Sequence, residues 1–281
     1  MLTAAEFLAS PSPKVVIYHK NCMDGFGAAF AAWKALGDKA VYLPHAYGDP
    51  ISGLPAGRCT ILMADVSFPR DWMEAVAKDH DLVVLDHHAT AKEALQDFDN
   101  ALFDMERSGC MMTWNYFFPD VPAPGLLHYI MDRDLWRFKI PHSQEANACY
   151  ASYDCDFKVW DELIWKPAEH VVQEGRAILR YQNQLVARMA QNAMPIELEG
   201  EKGVYATAPV LQSEVCHYLL EKHPQARYAA AAFTVSTNVE QISLRSRKLP
   251  EGTPEFDVGA LAKKLGGGGH PCAAGFRIVS D

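Results

Sequence analysis

The chain has 281 residues, 49% of them hydrophobic and 22% charged, with a net charge of −9. That length can support two separate cores, the composition is that of an ordinary globular protein, and no apolar run approaches the ~20 residues of a membrane span. The negative balance excludes a protein that tracks long nucleic acid, which needs a basic stripe along its surface, so a phosphate-bearing substrate should be short; the one concentrated basic cluster is Arg245-Ser246-Arg247-Lys248.

The opening segment lacks the basic flank and apolar core of a secretory signal, so a cytoplasmic location is expected. A first strand is predicted at Val15–Tyr18, ending in His19 and the run His19-Lys20-Asn21-Cys22-Met23-Asp24-Gly25. The small residues from Phe26 to Leu36 suit a helix lying close on a sheet, which places His19, Cys22 and Asp24 in the loop before it. Val41–Leu43 reads as a second strand, with Pro44, Pro50, Gly53, Pro55 and Gly57 marking the loop after it. A strand at Thr60–Ala64 then ends in Asp65. After a helix near Asp71–Lys78, a strand at Leu82–Leu85 ends in Asp86-His87-His88. This order implies an α/β fold whose N-terminal half is a doubly wound, mostly parallel sheet. A buried parallel strand has no use for consecutive polar side chains until it leaves the sheet, so His19, Asp65 and Asp86-His87-His88 should share its carboxyl edge, where ligands bind in open α/β sheets.

Helices are predicted at Met111–Phe118 and Leu126–Asp134, the second carrying Asp132 and Asp134 at its end. From Ala168 to Ala193 the pairs Val171/Val172, Ile178/Leu179 and Leu185/Val186 recur every seven residues, a seam that must be covered. It reads as a linker helix packed on its own chain, the alternative being a homodimer contact. The domains are accordingly set at 1–165, a metal-binding catalytic domain, 166–194, the linker helix, and 195–281, a smaller α/β domain for substrate. In that last domain, strands are expected at Ile196–Leu198, Gly203–Ala206, Tyr228–Thr237 and Gln241–Arg245, with helices at Ser213–Lys222 and Phe256–Leu265. The run Gly266–Gly269, followed by His270, reads as an ordered loop whose N–H groups approach a phosphate or base. Seven cysteines without a C-x-x-C pair indicate neither a disulfide framework nor a zinc ribbon.

A lone His19 or Asp65 at a strand end is more often a solvated residue than a ligand. Three strand ends bearing such groups in one βα series change that reading, because chance would scatter them. Adjacent strands lie ~4.8 Å apart, so His19, Asp24, Asp65, His87 and an acid from Asp132 or Asp134 can converge on two ions. Imidazole with carboxylate suits Mn²⁺, Fe²⁺, Co²⁺ or Zn²⁺ better than Ca²⁺. Two such ions acidify water and stabilise the charge that develops on phosphorus, the apparatus of phosphoester or phosphoanhydride hydrolysis.

The motifs resemble the DHH phosphoesterase superfamily with its associated C-terminal domain over nearly the whole chain. They are His19 to Gly25, Asp65, Asp86-His87-His88, Asp134-Leu135-Trp136-Arg137-Phe138, Arg245-Ser246 and Gly266 to Phe276. The resemblance implies that His19 and Asp65 hold one metal and Asp24, Asp65, His87 and Asp134 the other, with manganese typical. It also implies that His88 faces the scissile phosphate with Asp86 behind it, and that Arg245, Ser246, Gly268, Gly269 and His270 grip the nucleotide. Family members include nanoRNases, exonucleases and phosphodiesterases for linear dinucleotides such as pGpG. Asp134 is preferred over Asp132 because its interval to Phe138 matches the family's.

Cys22 departs from the pattern, standing where the first motif usually has aspartate. As a thiolate ligand it would soften the first site toward zinc, iron or cobalt; as a spectator it would leave that site weak. The expected function is hydrolysis of short oligonucleotides or linear dinucleotides to mononucleotides, with no long duplex and no membrane as partner. An inorganic pyrophosphatase, which uses a Ser-Arg-Lys segment like Ser246-Arg247-Lys248, and a non-catalytic nucleotide sensor are the alternatives.

Overall fold

A computed structural model describes residues 1–46, 52–249 and 252–279. Part of the loop expected after the second strand, including Pro50, therefore lies outside the described residues. The chain divides into two compact units, Met1–Leu179 and Arg180–Asp281.

The first unit contains, in order, α1 (Ala4–Ala9), β1 (Lys14–His19), α2 (Met23–Leu36), β2 (Val41–His45), β3 (Thr60–Ala64), α3 (Arg70–Asp79), β4 (Asp81–Asp86), α4 (Ala89–Ala94), β5 (Ala101–Phe103), α5 (Gly109–Phe117), α6 (Gly125–Asp134), α7 (Ser143–Tyr150) and α8 (Phe157–Leu163). The five strands form one sheet in the order β2-β1-β3-β4-β5, every pair parallel. This is a doubly wound sheet, and the period-2 alternation of a strand explains its two faces. Val16, Leu62, Ala64, Val83 and Leu85 pack with α2, α5 and α6, whereas Val15, Ile17, Ile61, Met63, Leu82 and Val84 pack with Met73 of α3 and Leu95. Because β2 and β3 flank β1, chain direction across the sheet reverses at β1, and the carboxyl edge there is the switch point where such sheets bind ligands.

Small residues let the covering helices come close: a Cβ on Gly27 of α2 would lie 2.9 Å from Cys110 Cβ of α5. Pro44, expected in a loop, is inside β2, an edge strand where a missing N–H costs nothing. α2 begins at Met23, so Asp24 sits in its first turn rather than in the preceding loop. Helices α7 and α8 are not foreshadowed by any strong periodicity.

The long helix α9 spans Ala168–Met189 and ends short of Ala193 in a 3₁₀ turn. Val171 is buried in the core of the first unit and Val186 in that of the second, so both ends of its apolar seam are covered within the chain. The second unit continues with β6 (Met194–Leu198), β7 (Glu201–Thr207), α10 (Gln212–Lys222), β8 (Tyr228–Ser236), β9 (Val239–Arg245), α11 (Val258–Lys264), β10 (Gly268–His270) and β11 (Ala273–Val279). These strands form a mixed sheet ordered β10-β11-β9-β8-β7-β6, in which only β7 and β8 are parallel. Ala229 and Ala231 of β8 face α10, and Tyr228, Ala230 and Ala232 face α11. The second half of the glycine run is thus a strand rather than a loop, since Gly268–His270 pair antiparallel with Ala273–Gly275. Among the described residues no helix is long and apolar enough to cross a membrane.

Candidate metal centre

Backbone constraints at three strand ends build this site. After β1 the chain turns at Asn21, in the left-handed region with φ 58, and Cys22 takes the N-cap of α2 without making a side-chain cap bond. The first turn of α2 passes so near β1 that a Cβ on Gly25 would fall on the His19 carbonyl. What reads as an Asp-Gly turn signal is therefore a close-approach glycine, and it draws His19, Cys22 and Asp24 to one end of the sheet. β3 ends in Asp65, also left-handed with φ 63, a conformation Asp tolerates better than most residues. Its amide donates to the Leu85 carbonyl at 2.9 Å, tying the bend to β4.

β4 delivers Asp86-His87-His88. The Asp86 carboxylate is fully engaged: Oδ1 accepts from the His87 amide at 2.7 Å and the His88 amide at 3.2 Å and lies 2.7 Å from His88 Nδ1, while Oδ2 accepts from the Ser67 hydroxyl at 2.5 Å. Asp86 is thus a holder, and it fixes the His88 ring with Nδ1 inward. The N-terminus of α5 contributes two groups that the sequence did not single out. The amides of Gly109 and Cys110 donate to the Asp24 carboxylate at 2.6 and 3.1 Å, as a helix N-terminus favours an anion. At the end of α6 the two acids part. Asp132 accepts from the amides of Lys139 and Ile140 at 2.9 and 3.2 Å, whereas Asp134 Oδ2 lies 3.5 Å from His87 Nε2.

Besides the grouping of Asp65 with the Asp86–His88 pair, two clusters result in this unit. His19, Cys22 and Asp65 bring ligand atoms within 4.8 Å of one another, and so do Asp24, His87 and Asp134. Asp65 stands between them, with Oδ2 3.6 Å from His19 Nδ1 and Oδ1 3.1 Å from His87 Nε2. Asp24, Asp65 and His87 are each no more than 2% exposed. Burial pushes the Asp24 carboxyl up, reinforced by the negative charges of Asp65 and Asp134. Asp134 is pushed up by burial as well, against the pull of His87. His87 rises to about 11 although burial works to lower it, because Asp65, Asp134 and Asp24 surround it. Asp65 lies below the usual carboxylate range despite its burial, owing to His19 and His87.

Imidazolium groups, with Arg133 near Asp134, are thus the counter-charge for a knot of buried acids, the electrostatic signature of a cation site. Divalent ions fit the donor set, and one atom argues for them directly. Asp65 Oδ1 is buried and accepts no well-angled hydrogen bond, although His87 is near.

In the second unit, lateral pairing puts His270, Ala273 and Arg245 in one row across β10, β11 and β9. The Arg245 guanidinium donates to the Leu244 carbonyl at 2.8 Å and the Ser213 hydroxyl at 2.7 Å. Ser246 is buried, and its amide donates to the Cys272 carbonyl at 3.1 Å. Gly268 and Gly269 lie in β10, where a Cβ on Gly269 would sit 2.7 Å from Ala274 Cα. Arg247 is spent on structure, donating to the carbonyls of Leu220, His223 and Ala226 at 2.7, 3.0 and 2.9 Å and to Glu255.

No family model matches the chain. An uncharacterized protein of Acanthamoeba polyphaga mimivirus is 28% identical over 287 residues, which cover 94% of this chain and 67% of that protein. Among solved structures, RecJ from Thermus thermophilus in complex with Mn²⁺ superposes with a TM-score of 0.53 at 14% identity, covering 98% of this chain and 51% of RecJ. The pGpG-specific phosphodiesterase PggH from Vibrio cholerae gives a TM-score of 0.47 at 11% identity over 95% of this chain and 93% of that one. The likeness to RecJ shows a shared fold, of which this chain spans about half the RecJ length.

Proposed function

We propose that the chain is a metal-dependent phosphodiesterase of the DHH type, acting in the cytoplasm on short oligonucleotides or linear dinucleotides such as pGpG and releasing mononucleotides. The observation that carries this reading is Asp65, a buried carboxylate with one oxygen toward each of two ligand clusters. His19, Cys22 and Asp65 are assigned to one divalent ion and Asp24, Asp65, His87 and Asp134 to the other, with manganese the expected metal. Two such ions supply an acidified water and charge stabilisation at phosphorus.

The residues around them do the rest. With Nδ1 held on Asp86, the His88 ring offers Nε2 to a phosphoryl oxygen, and as imidazolium it balances the charge that builds there. Burial works against protonation of His88, but the Asp86 carboxylate outweighs it and raises its pKa. The Ser67 hydroxyl locks Asp86 in turn. Arg245, Ser246, Gly268, Gly269 and His270 are assigned the nucleotide end of the substrate. The commitment of Arg247 to its own unit removes one cation of the basic cluster from phosphate binding, which favours a short substrate for a protein of net charge −9.

The test is kcat/KM with Mn²⁺ across a ladder from pGpG to long single-stranded RNA at moderate salt, with pyrophosphate alongside. The value should fall by about tenfold or more over the ladder, since each added phosphate lacks a cationic partner, and pyrophosphate should be left intact. A flat or rising profile would replace the dinucleotide enzyme with an exonuclease, and preferential cleavage of pyrophosphate would reject a phosphodiesterase.

A further inference from the structure

The two clusters are chemically unlike. The first offers a nitrogen, a sulfur and an oxygen from His19, Cys22 and Asp65; the second offers Asp24, Asp134, His87 and the other oxygen of Asp65. They differ in setting too. The His19 side chain is 34% exposed and Cys22 is half-buried, whereas in the second cluster the side chains of Asp24 and His87 are 0% and 3% exposed and that of Asp134 24%. From this asymmetry, and resting on the two-ion reading above, we infer that the centre is heterometallic, with Zn²⁺ held by His19, Cys22 and Asp65 and Mn²⁺ held by Asp24, Asp65, His87 and Asp134.

Several observations support the assignment. Thiolate is a soft ligand that selects zinc over manganese, while a carboxylate-rich set is hard and suits manganese. Three protein ligands is the number with which catalytic zinc sites leave a fourth position open. Charge is balanced, because the anions Cys22, Asp24, Asp65 and Asp134 together match two dications. Cys22 also has no packing duty to explain it. Cys59, Cys110 and Cys149 are buried within the apolar cores of the unit, but Cys22 belongs to neither core and makes no cap bond from its N-cap position. Finally, Asp65 Oδ1 is a buried acceptor without a well-angled donor, so it is available to the second ion while Oδ2 serves the first.

The inference is tested on the full chain stripped of metal by a chelator. Titration with Co²⁺ should develop a near-ultraviolet thiolate-to-cobalt charge-transfer band that saturates at about one equivalent per chain, and the band should be absent from Cys22→Asp. With one equivalent of Zn²⁺ and excess Mn²⁺, followed by desalting, elemental analysis should find about one of each ion per chain, with the electron paramagnetic resonance of an isolated manganese. In Cys22→Asp zinc retention should fall by about tenfold or more, and the spectrum should become that of a coupled manganese pair. Asp134→Asn should lose manganese yet keep the cobalt–thiolate band, so the readout does not hang on one variant. Absence of the band, or a coupled manganese pair in the unmodified protein, overturns the inference. If such a protein still binds two ions and cleaves phosphodiesters, the two-ion reading survives alone; if it binds no metal, both fall.

Discussion

Gly109 is where a single methyl group should separate the metal centre from the fold that carries it. In Gly109→Ala the new Cβ would lie 2.9 Å from Asp65 Cγ and Oδ1, and closer still to Cβ. Carbon atoms prefer about 3.5–4.0 Å, so the 2.4 Å approach to Asp65 Cβ requires Asp65 or the start of α5 to retreat by about 1 Å. Neither can move freely: Asp65 is pinned to Leu85, and the Gly109 amide holds Asp24. Overpacking of this kind costs about 1–3 kcal/mol, and a shift approaching 1 Å at reacting groups costs about 10²-fold in turnover. Differential scanning fluorimetry of the metal-free protein should show a Tm lowered by about 2–10 °C, and calorimetry should show weakened Mn²⁺ binding. Two glycines serve as controls. A Cβ on Gly125 meets nothing within 4 Å, so Gly125→Ala should change neither quantity; a Cβ on Gly175 would fall on the Glu145 carbonyl, so Gly175→Ala should lower Tm without changing metal affinity once folded. Normal Mn²⁺ affinity and an unchanged Tm in Gly109→Ala would refute the argument that Asp65 is fixed by contact with α5.

The arginines of the basic cluster should behave oppositely. Arg247→Ala leaves three carbonyls at the end of α10 and beyond without their donor, and urea denaturation should register a loss of about 2–3 kcal/mol. Arg245→Ala should cost little stability and instead raise KM for pGpG; equal effects on stability would mean that both are structural. Burial, helped by the Arg245 charge, pulls His217 down to about 4 from an ordinary 6.5. The unfolded chain therefore binds more protons than the folded one between those values, and stability should fall as pH drops from about 6.5 toward 4, by on the order of 2–3 kcal/mol. His217→Gln should flatten that part of the stability–pH profile relative to the parent, and parallel profiles would show that His217 is not the group responsible.

The strand ends are legible in the sequence because β-branched, apolar runs stop abruptly at His19, Asp65 and Asp86. A parallel strand buried on both faces permits no earlier polar residue. The placement of Asp24 is not legible: Asp24-Gly25 has the composition of a turn, and only the proximity of the His19 carbonyl shows that Gly25 serves helix packing. Gly109 and Cys110 are hidden for a related reason, since amide donors carry no side-chain signature; a Ser-Gly pair opening a helix is the faint signal available. In the second unit, Gly268 and Gly269 suggest a loop because glycine is rare inside strands, yet at Gly269 the close approach of β11 demands it. Arg247 looks like its neighbours in sequence, and its commitment to backbone carbonyls follows from tertiary contacts more than twenty residues away.

In the proposed centre Asp65 joins two metal ions into one hydrolytic site. Asp65→Asn tests this most directly, because asparagine tolerates the left-handed backbone at this position and keeps the shape while removing the charge. Hydrolysis of pGpG with saturating Mn²⁺ and the number of bound ions should be measured together, with circular dichroism confirming the fold. The variant should stay folded, hold fewer ions than the parent and lose turnover by a factor of about 10³ or more. Near-normal turnover with two ions still bound would contradict the bridging role of Asp65.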